Sequence, residues 1–461
     1  MKSHQKAAWI AEIRALSALA LPFVIGNLAW SLVAASNLFL LGRVSAEAMA
    51  AGSLATNLYN ALQIFGMGIA TAVSPMIARE RGRRKFAVRD IRRTVRQGMW
   101  VTLAICLPVW ALLWHAESIL LALGQQAALS AQAASLLRGL QWALLPYLWF
   151  YVLRHYVGAM ERPIWGVIIT LIALPVNFLA GWTLILGNLG MPALGLFGAG
   201  LASSLTAVTM LVAIVIVISR DRQFRRFQLF GRFWVADWPR FGSLLRLGMP
   251  IAVLFAMEVT VFNAAAFLMG TIGQASLAAH AIANQAAALA FMIPLGISQA
   301  ATIRAGLGFG RSDADAVRRS GRVALTVGVG FAVAAATLLA VLPTQFIGLF
   351  LDLRDPANVE VVRLATSFIY VAALFQLFDS TQAVSAGLLR GLHDTKVPMI
   401  IAATGYWVFG MGIGSFLAFR TPLAGLGIWI GLASGLAVVA PFLAWRWFST
   451  IGRLTVHARS I

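Results

Sequence analysis

Cysteine is nearly missing from this chain: Cys106 stands alone among 461 residues, so no intrachain disulfide can form. Charge is scarce as well. Asp, Glu, Lys and Arg supply 11% of the residues, against about 25% in a soluble domain, while 60% are hydrophobic. That shortage excludes a soluble enzyme, a disordered chain and a nucleic-acid module. Acids are the rarer sign, 16 against 36 basic residues, for a net charge of +20. In a soluble protein such an excess suggests nucleic acid. Here the basic residues stand between apolar runs and read as topology signals, so no nucleic-acid partner is expected. Catalytic signatures are missing too. There is no G-x-x-x-x-G-K-[ST], which excludes ATP drive within this chain, and no H-E-x-x-H or G-x-S-x-G. Cys106 has no nearby base in sequence, and no catalytic residue or resident cofactor is expected. The start, MKSHQKAAWIAEIRALSALALP, lacks a cleavage-site pattern, and its apolar run reads as a retained helix.

What the chain has is long apolar runs. They predict transmembrane helices at about 16–41, 52–77, 97–114, 133–153, 163–187, 196–218, 244–270, 276–302, 323–350, 363–388, 397–419 and 423–447. A transmembrane barrel needs alternating segments of about 10 residues; these runs are longer and apolar all round. Charge tests the span number. With both termini cytoplasmic, 31 of the 36 Lys and Arg residues fall in inner segments. The bias supports an all-α integral membrane protein of twelve helices. Clusters such as Arg81–Arg83–Arg84–Lys85 read as topology signals in contact with anionic headgroups of the bilayer. The G-x-x-x-G at Gly306–Gly310 is expected in an inner loop, a poor place for a helix-pairing motif.

The polar stretch 219–243 divides the chain into an N-terminal six-helix lobe, 1–218, and a C-terminal one, 244–461, with a cytoplasmic linker between. The halves resemble each other at a constant offset of 228 residues. Pro22 falls on Pro250, Leu41-Gly42 on Met269-Gly270, Met49-Ala50-Ala51 on Leu277-Ala278-Ala279, and Gly82-Arg83 on Gly310-Arg311. Near the ends, Leu201-Ala202-Ser203 matches Leu432-Ala433-Ser434. Six is even, so both halves start on one side and are related by a pseudo-two-fold along the membrane normal. That is the parallel-repeat plan of several transporters, although duplicated membrane proteins can also be channels or scaffolds.

Two acids, Glu258 and Asp379, lie deep in predicted helices; the other fourteen lie near helix ends. Glu258 is 12 residues past Arg246 and Asp379 is 11 before Arg390. At 1.5 Å per residue both stand roughly 16–18 Å in, near the midplane. A carboxylate there costs about 2.5–3.5 kcal/mol. Both belong to the second half, where the offset sets Trp30 opposite Glu258. Such a pair can bind Na⁺, exchange protons or neutralise a cationic substrate; a structural pair is the rival reading. Asn37, Asn177, Asn263, Asn284 and Gln376 are candidates to line a cleft but suit helix–helix hydrogen bonding better, and His280 suits packing. Phe255, Glu258 and Phe262 share a helix face, and Phe375 sits one turn before Asp379. These rings could hold a lipophilic cation or simply pack.

Five segments in order carry a family likeness: NLFLLGRVSAEAMAAGSL, VSPMIARERG, RPIWGVIITLIALPVNFLAGWTLILGNLGMPALGLFGAGLAS, MEVTVFNAAAFLMGTIGQASLAAHAIANQ and FDSTQAVSAGLLRGLHDTKVPM. In them the chain resembles the multidrug and toxic compound extrusion (MATE) family, most like its NorM branch. The resemblance implies two bundles of six helices and export of amphipathic, mostly cationic drugs in exchange for Na⁺ or H⁺. It implies a monomer in the bacterial inner membrane. The family's helix-7 glutamate falls on Glu258 and its helix-10 aspartate on Asp379, a tentative Na⁺ site. In helix 1, Asn37 stands where the NorM pattern has an aspartate, which moves the expected coupling into the second half and favours Na⁺ over H⁺. The rival function is a lipid-linked oligosaccharide flippase of the same superfamily. A flippase should line its cleft with several Arg, and the sequence places none at midplane depth.

Overall fold

A computed structural model describes residues 2–84 and 87–459, so Lys85 of the basic cluster lies outside the described residues. Among these the chain is helical and holds no strand. The first repeat comprises α1 (Lys2–Gly42), α2 (Ala46–Thr71) continued by α3 (Val73–Arg83), α4 (Val88–Trp114), the short α5 (Ala116–Ala122), α6 (Ala127–Leu140), α7 (Leu144–Ala159), α8 (Ile164–Leu186) and α9 (Gly195–Arg220). The four-residue α10 (Arg222–Arg225) lies in the linker. The second repeat comprises α11 (Trp238–Ile272), α12 (Gln274–Gly310), α13 (Ala314–Val341), the short α14 (Pro343–Ile347), α15 (Val359–Gly391), α16 (Lys396–Ala403), a π-helical stretch Thr404–Met411, α17 (Gly412–Arg420) and α18 (Gly425–Arg459).

Eleven helical stretches among the described residues are long and apolar enough to span a bilayer. The twelfth expected span, 133–153, is built in two pieces. α6 and α7 meet through a 3₁₀ turn at Gln141–Ala143. Pro146 explains the break: it has no amide hydrogen to donate, and its ring crowds the carbonyl four residues back. The expected helix 323–350 likewise stops at Val341, because Pro343 starts a new short helix. Elsewhere the helices outrun their apolar cores. α12 continues to Gly310, so Gly306–Gly310 is helix, where a loop was expected. Polar residues in lipid-length helices satisfy themselves locally: Thr71, Thr102 and Thr170 each donate to the carbonyl four residues earlier.

The chain forms two compact units, Met1–Val24 with Val253–Ile461, and Ile25–Ala252. The expected lobes, 1–218 and 244–461, divide the chain at its linker. The compact units divide inside α1 and α11, two residues past Pro22 and Pro250, and the linker falls within the second unit. A helix-interior proline frees one carbonyl and lets a helix change direction, so the stretch before it can take different neighbours. Those neighbours obey the repeat. Gly296 of α12 lies so close to Val24 that a Cβ would stand 2.9 Å from the Val24 nitrogen. Its counterpart Gly68 of α2 would meet Ala252 Cα at 2.3 Å. Only a residue without a side chain permits such approach.

Ion pairs secure both exchanged segments. Arg304 of α12 grips Glu12 of α1 through two bonds, of 2.6 and 2.9 Å. Arg240 of α11 lies 3.3 Å from Asp90 and 3.7 Å from Glu80, and donates to Thr94 Oγ1 at 2.7 Å. The linker is strapped onto α4: Arg93 pairs with Asp237, Arg96 donates to the Arg232 carbonyl, and Trp100 Nε1 donates to the Phe233 carbonyl. Partial burial works against the charge of Asp237. The hydrogen bond from Arg93 and that from the Arg240 amide outweigh it and hold the carboxyl below the usual range.

Candidate functional site

In the unit that contains α12–α18, α15 is held at depth by hydrogen bonds from its neighbours. Ser298 Oγ of α12 donates to the Ala383 carbonyl at 2.6 Å, and Thr302 Oγ1 to the Gly387 carbonyl at 2.8 Å. Ser380 of α15 donates to the Gly328 carbonyl of α13 at 2.9 Å. These bonds fix the turn that carries Asp379. On another side Gly414 and Gly431 let α17 and α18 pack backbone to backbone, and the π-helical stretch between α16 and α17 carries Tyr406 and Gly410. π-Helical turns occur often at functional sites.

Glu258 of α11 and Asp379 of α15 line one cavity, together with Val261, Phe262, Phe375, Tyr406, Gly410, Leu432 and Leu436. Its volume is about 10 Å³, the threshold for a single water molecule. Asp379 is 6% exposed and Glu258 half-buried. Neither makes a hydrogen bond or ion pair with any described residue. Two acids share one small space without a hydrogen-bond or ion-pair partner, and the buried Arg390 guanidinium reaches Glu258 only through its field, so two carboxylates face a single distant cation; a buried charge is costly until a partner neutralises it. One proton or one small cation fits the space, and an organic molecule does not.

The aromatic candidates divide. Phe262 and Phe375 line the cavity with ring centroids 5.9 Å apart in a T-shape. Phe255 lies outside it and carries the buried Arg390 guanidinium 5.5 Å above its ring. Trp429 backs Phe375 at 6.1 Å and His280 at 5.6 Å, so His280 is a packed histidine behind the cavity wall. Gln376 is fully buried, and neither its amide oxygen nor its nitrogen has a partner. Asn263 is exposed and Asn284 half-buried, and both stand outside the cavity.

In the other unit Asn177 is consumed by structure. Ser36 Oγ donates to its Oδ1 at 2.8 Å, and its Nδ2 donates to Thr206 Oγ1 at 3.2 Å. Asn37 donates to Ser203 Oγ at 2.9 Å and lines a second cavity of about 330 Å³, with no acid or base among its lining residues. Sequence reasoning missed Thr56, Asn60 and Gln63 of this cavity. Their i, i+4, i+7 spacing on α2 was the available signal, one polar stripe on an apolar helix. Tyr406 was missed because a tyrosine in an apolar helix carries no such pattern.

Known proteins match the chain along nearly its whole length. The family model MatE matches residues 22–183 and again 250–416, two copies whose starts keep the 228-residue offset. A "Probable multidrug resistance protein NorM" of Mesorhizobium japonicum is 52% identical over 439 residues, covering 95% of this chain and 94% of that one. A protein of the same name from Brucella suis is 45% identical over 95% of this chain and 93% of its own. A crystal structure of a eukaryotic MATE transporter superposes with a TM-score of 0.84 at 18% identity, over 97% of this chain and 98% of that chain. An outward-facing multidrug resistance MATE transporter gives 0.85 at 18% identity, with 96% of each chain covered. At those identities the two structures speak for the fold, a two-lobed architecture of twelve helices.

Proposed function

This chain belongs to the MatE family of multi-pass membrane transporters, proteins that are not enzymes, and from that premise we propose that it is a cation-coupled multidrug antiporter of the inner membrane. It exchanges Na⁺ or H⁺ for amphipathic, mostly cationic organic compounds. The observation that carries this reading is the pair Glu258 and Asp379, unpartnered around a space of about 10 Å³. The ion is substrate here. It binds between the two carboxylates, with the Tyr406 hydroxyl the remaining polar group on the wall. Occupation favours one conformation and drug binding the other. Each ligand shifts the equilibrium only by its differential affinity for the two states, which is sufficient for exchange.

The size of the space and its oxygen donors favour Na⁺ over a larger cation. Asn37 has no titrating group, so coupling rests on α11 and α15. The excess of basic residues at one set of helix ends supports an orientation with both termini cytoplasmic, and the acid pair lies within one chain, in keeping with a monomer. The flippase reading is disfavoured, since neither cavity has an Arg or Lys in its wall to hold a pyrophosphate.

The deciding experiment is drug efflux from liposomes under separately imposed Na⁺ and proton gradients. One gradient should drive export by the wild type, and neither should drive export by Glu258→Gln or Asp379→Asn. Wild-type-like export by both variants overturns the coupling assignment.

A further inference from the structure

A third cavity lies where α9 ends and the linker begins, within the Ile25–Ala252 unit. Its volume is about 220 Å³, below the roughly 300–1,000 Å³ of drug-sized sites. Ile218, Phe224 and Leu229 form an apolar floor, each of them buried, and Ser219, Arg225 and Gln228 supply a polar rim. The floor is fixed from behind: Tyr156 of α7 packs against Phe224 and Phe227 with ring centroids 5.7 and 6.1 Å away. The turn that closes the cavity is held as well. Gln228 sits in the left-handed region with φ of 44°, and its carbonyl accepts from the Gly231 amide at 3.1 Å. Arg96 of α4 donates to the carbonyls of Gly231 and Arg232.

The charge around this rim is positive and unanswered. Arg222, Arg225 and Arg232 are exposed, and none makes an ion pair with a described residue. The two acids of the linker are already engaged: Asp221 accepts from the Gln223 amide at 2.8 Å, and Asp237 pairs with Arg93. An anion therefore meets a favourable field here, whereas an ammonium group finds no acid in the wall. The same linker presents Trp234 and Trp238, 76% and 66% exposed. The backbone that bears Trp234 is pinned on both sides, by Trp100 at the Phe233 carbonyl and by Gln97 at the Val235 carbonyl. Exposed indoles at the end of a membrane span belong at headgroup level. They set the linker in the headgroup layer, with the cavity in reach of lipid.

We propose that this cavity is a binding site for an anionic phospholipid: Arg225 pairs with the phosphodiester, Ser219 and Gln228 donate to its oxygens, and the first carbons of the lipid lie on Ile218, Phe224 and Leu229. A guanidinium suits a phosphate because its donors form a planar fork. A zwitterionic lipid brings an ammonium group that Arg222 and Arg232 repel. A soluble phosphate ester shares the charge but has nothing to lay on the floor. The assignment does not depend on what the chain transports.

Native mass spectrometry of the full chain, released from a neutral detergent, tests this with phosphatidylglycerol, phosphatidylcholine and glycerol 3-phosphate. Wild type should hold its first phosphatidylglycerol about tenfold more tightly than phosphatidylcholine, and glycerol 3-phosphate should displace little of it. Arg225→Gln should weaken phosphatidylglycerol about fivefold and leave phosphatidylcholine unchanged. Arg322→Gln removes the same charge from an exposed position of α13 and should change neither. Ser219→Trp, also at an exposed position, fills the cavity without altering charge and should weaken phosphatidylglycerol as Arg225→Gln does. Equal affinity of the wild type for the two lipids overturns the assignment, as do equal effects of Arg225→Gln and Arg322→Gln, which would show general attraction without a built site. Binding untouched by Ser219→Trp overturns it too. Displacement by glycerol 3-phosphate at the lipid's own concentration gives the cavity to a soluble phosphate ester and overturns the lipid assignment.

Discussion

Replacing Asp379 by Asn should make this protein more stable while stopping its ion-driven transport. Asp379 is 6% exposed, shares a space of about 10 Å³ with Glu258, and has no counter-charge in reach of a hydrogen bond. A carboxylate in mid-membrane costs about 2.5–3.5 kcal/mol. Asn keeps the shape and polarity and removes the charge, so the variant should regain on the order of 2–3 kcal/mol when no coupling cation is present. In the wild type the cation itself offsets that cost. Saturation at a hundred times Kd contributes about 2.7 kcal/mol. The assay is thermal unfolding in detergent, with Na⁺ exchanged for choline at constant ionic strength, repeated across pH. In choline the variant should melt above the wild type. Added Na⁺, or acid if the proton is the coupling ion, should raise the wild type and close the gap, and the variant should respond far less. A variant that melts lower in choline, or a wild type indifferent to both Na⁺ and acid, would refute the claim that the pair is an incomplete cation site.

Further outcomes follow from the packing. Gly296→Ala sets a Cβ 2.5 Å from Val24 Cγ2, and Gly68→Ala sets one 2.3 Å from Ala252 Cα; each should cost about 1–3 kcal/mol in a detergent melt, the second more because backbone cannot swing aside. Glu12→Gln breaks the pair with Arg304 and should destabilise by up to about 3 kcal/mol, with a double-mutant cycle against Arg304→Gln returning a coupling of the same sign. The Asp237 carboxyl is held below its ordinary range in the fold, so the stability it lends the linker is present above the unfolded value near 3.8 and is lost as pH falls through the lower folded value. The protection of the amides of residues 228–237, as exchange relative to the intrinsic rate at each pH, should therefore stay high at pH 5–7 and fall from about pH 4 downward; in Asp237→Asn it should be low throughout.

Membrane insertion and the repeat were legible in the residues, because each is set by local quantities: apolar length against bilayer thickness, charge at helix ends, and a constant residue offset. The broken span was half legible. Pro146 stood in the run, but a proline inside a lipid-length helix is tolerated often enough that it did not predict a 3₁₀ turn. Asn177 looked like a helix–helix hydrogen bonder and proved to be one, through Ser36 and Thr206. Asn37 carried the same pattern, yet it sits on a cavity wall with its oxygen unmet.

By itself the sequence determined that two charges must stand where charge is expensive, since no arrangement of these helices could return Glu258 and Asp379 to the ends of their own segments. Only the tertiary structure decided that they face one another across a single small space, with Tyr406 brought beside them by a π-helical turn. Only it showed that α1 and α11 change neighbours past Pro22 and Pro250. The reason is the same in each case. Depth along a helix is counted in residues, whereas the rotation of one helix against another depends on contacts between segments far apart in the chain, down to which glycines let two backbones meet.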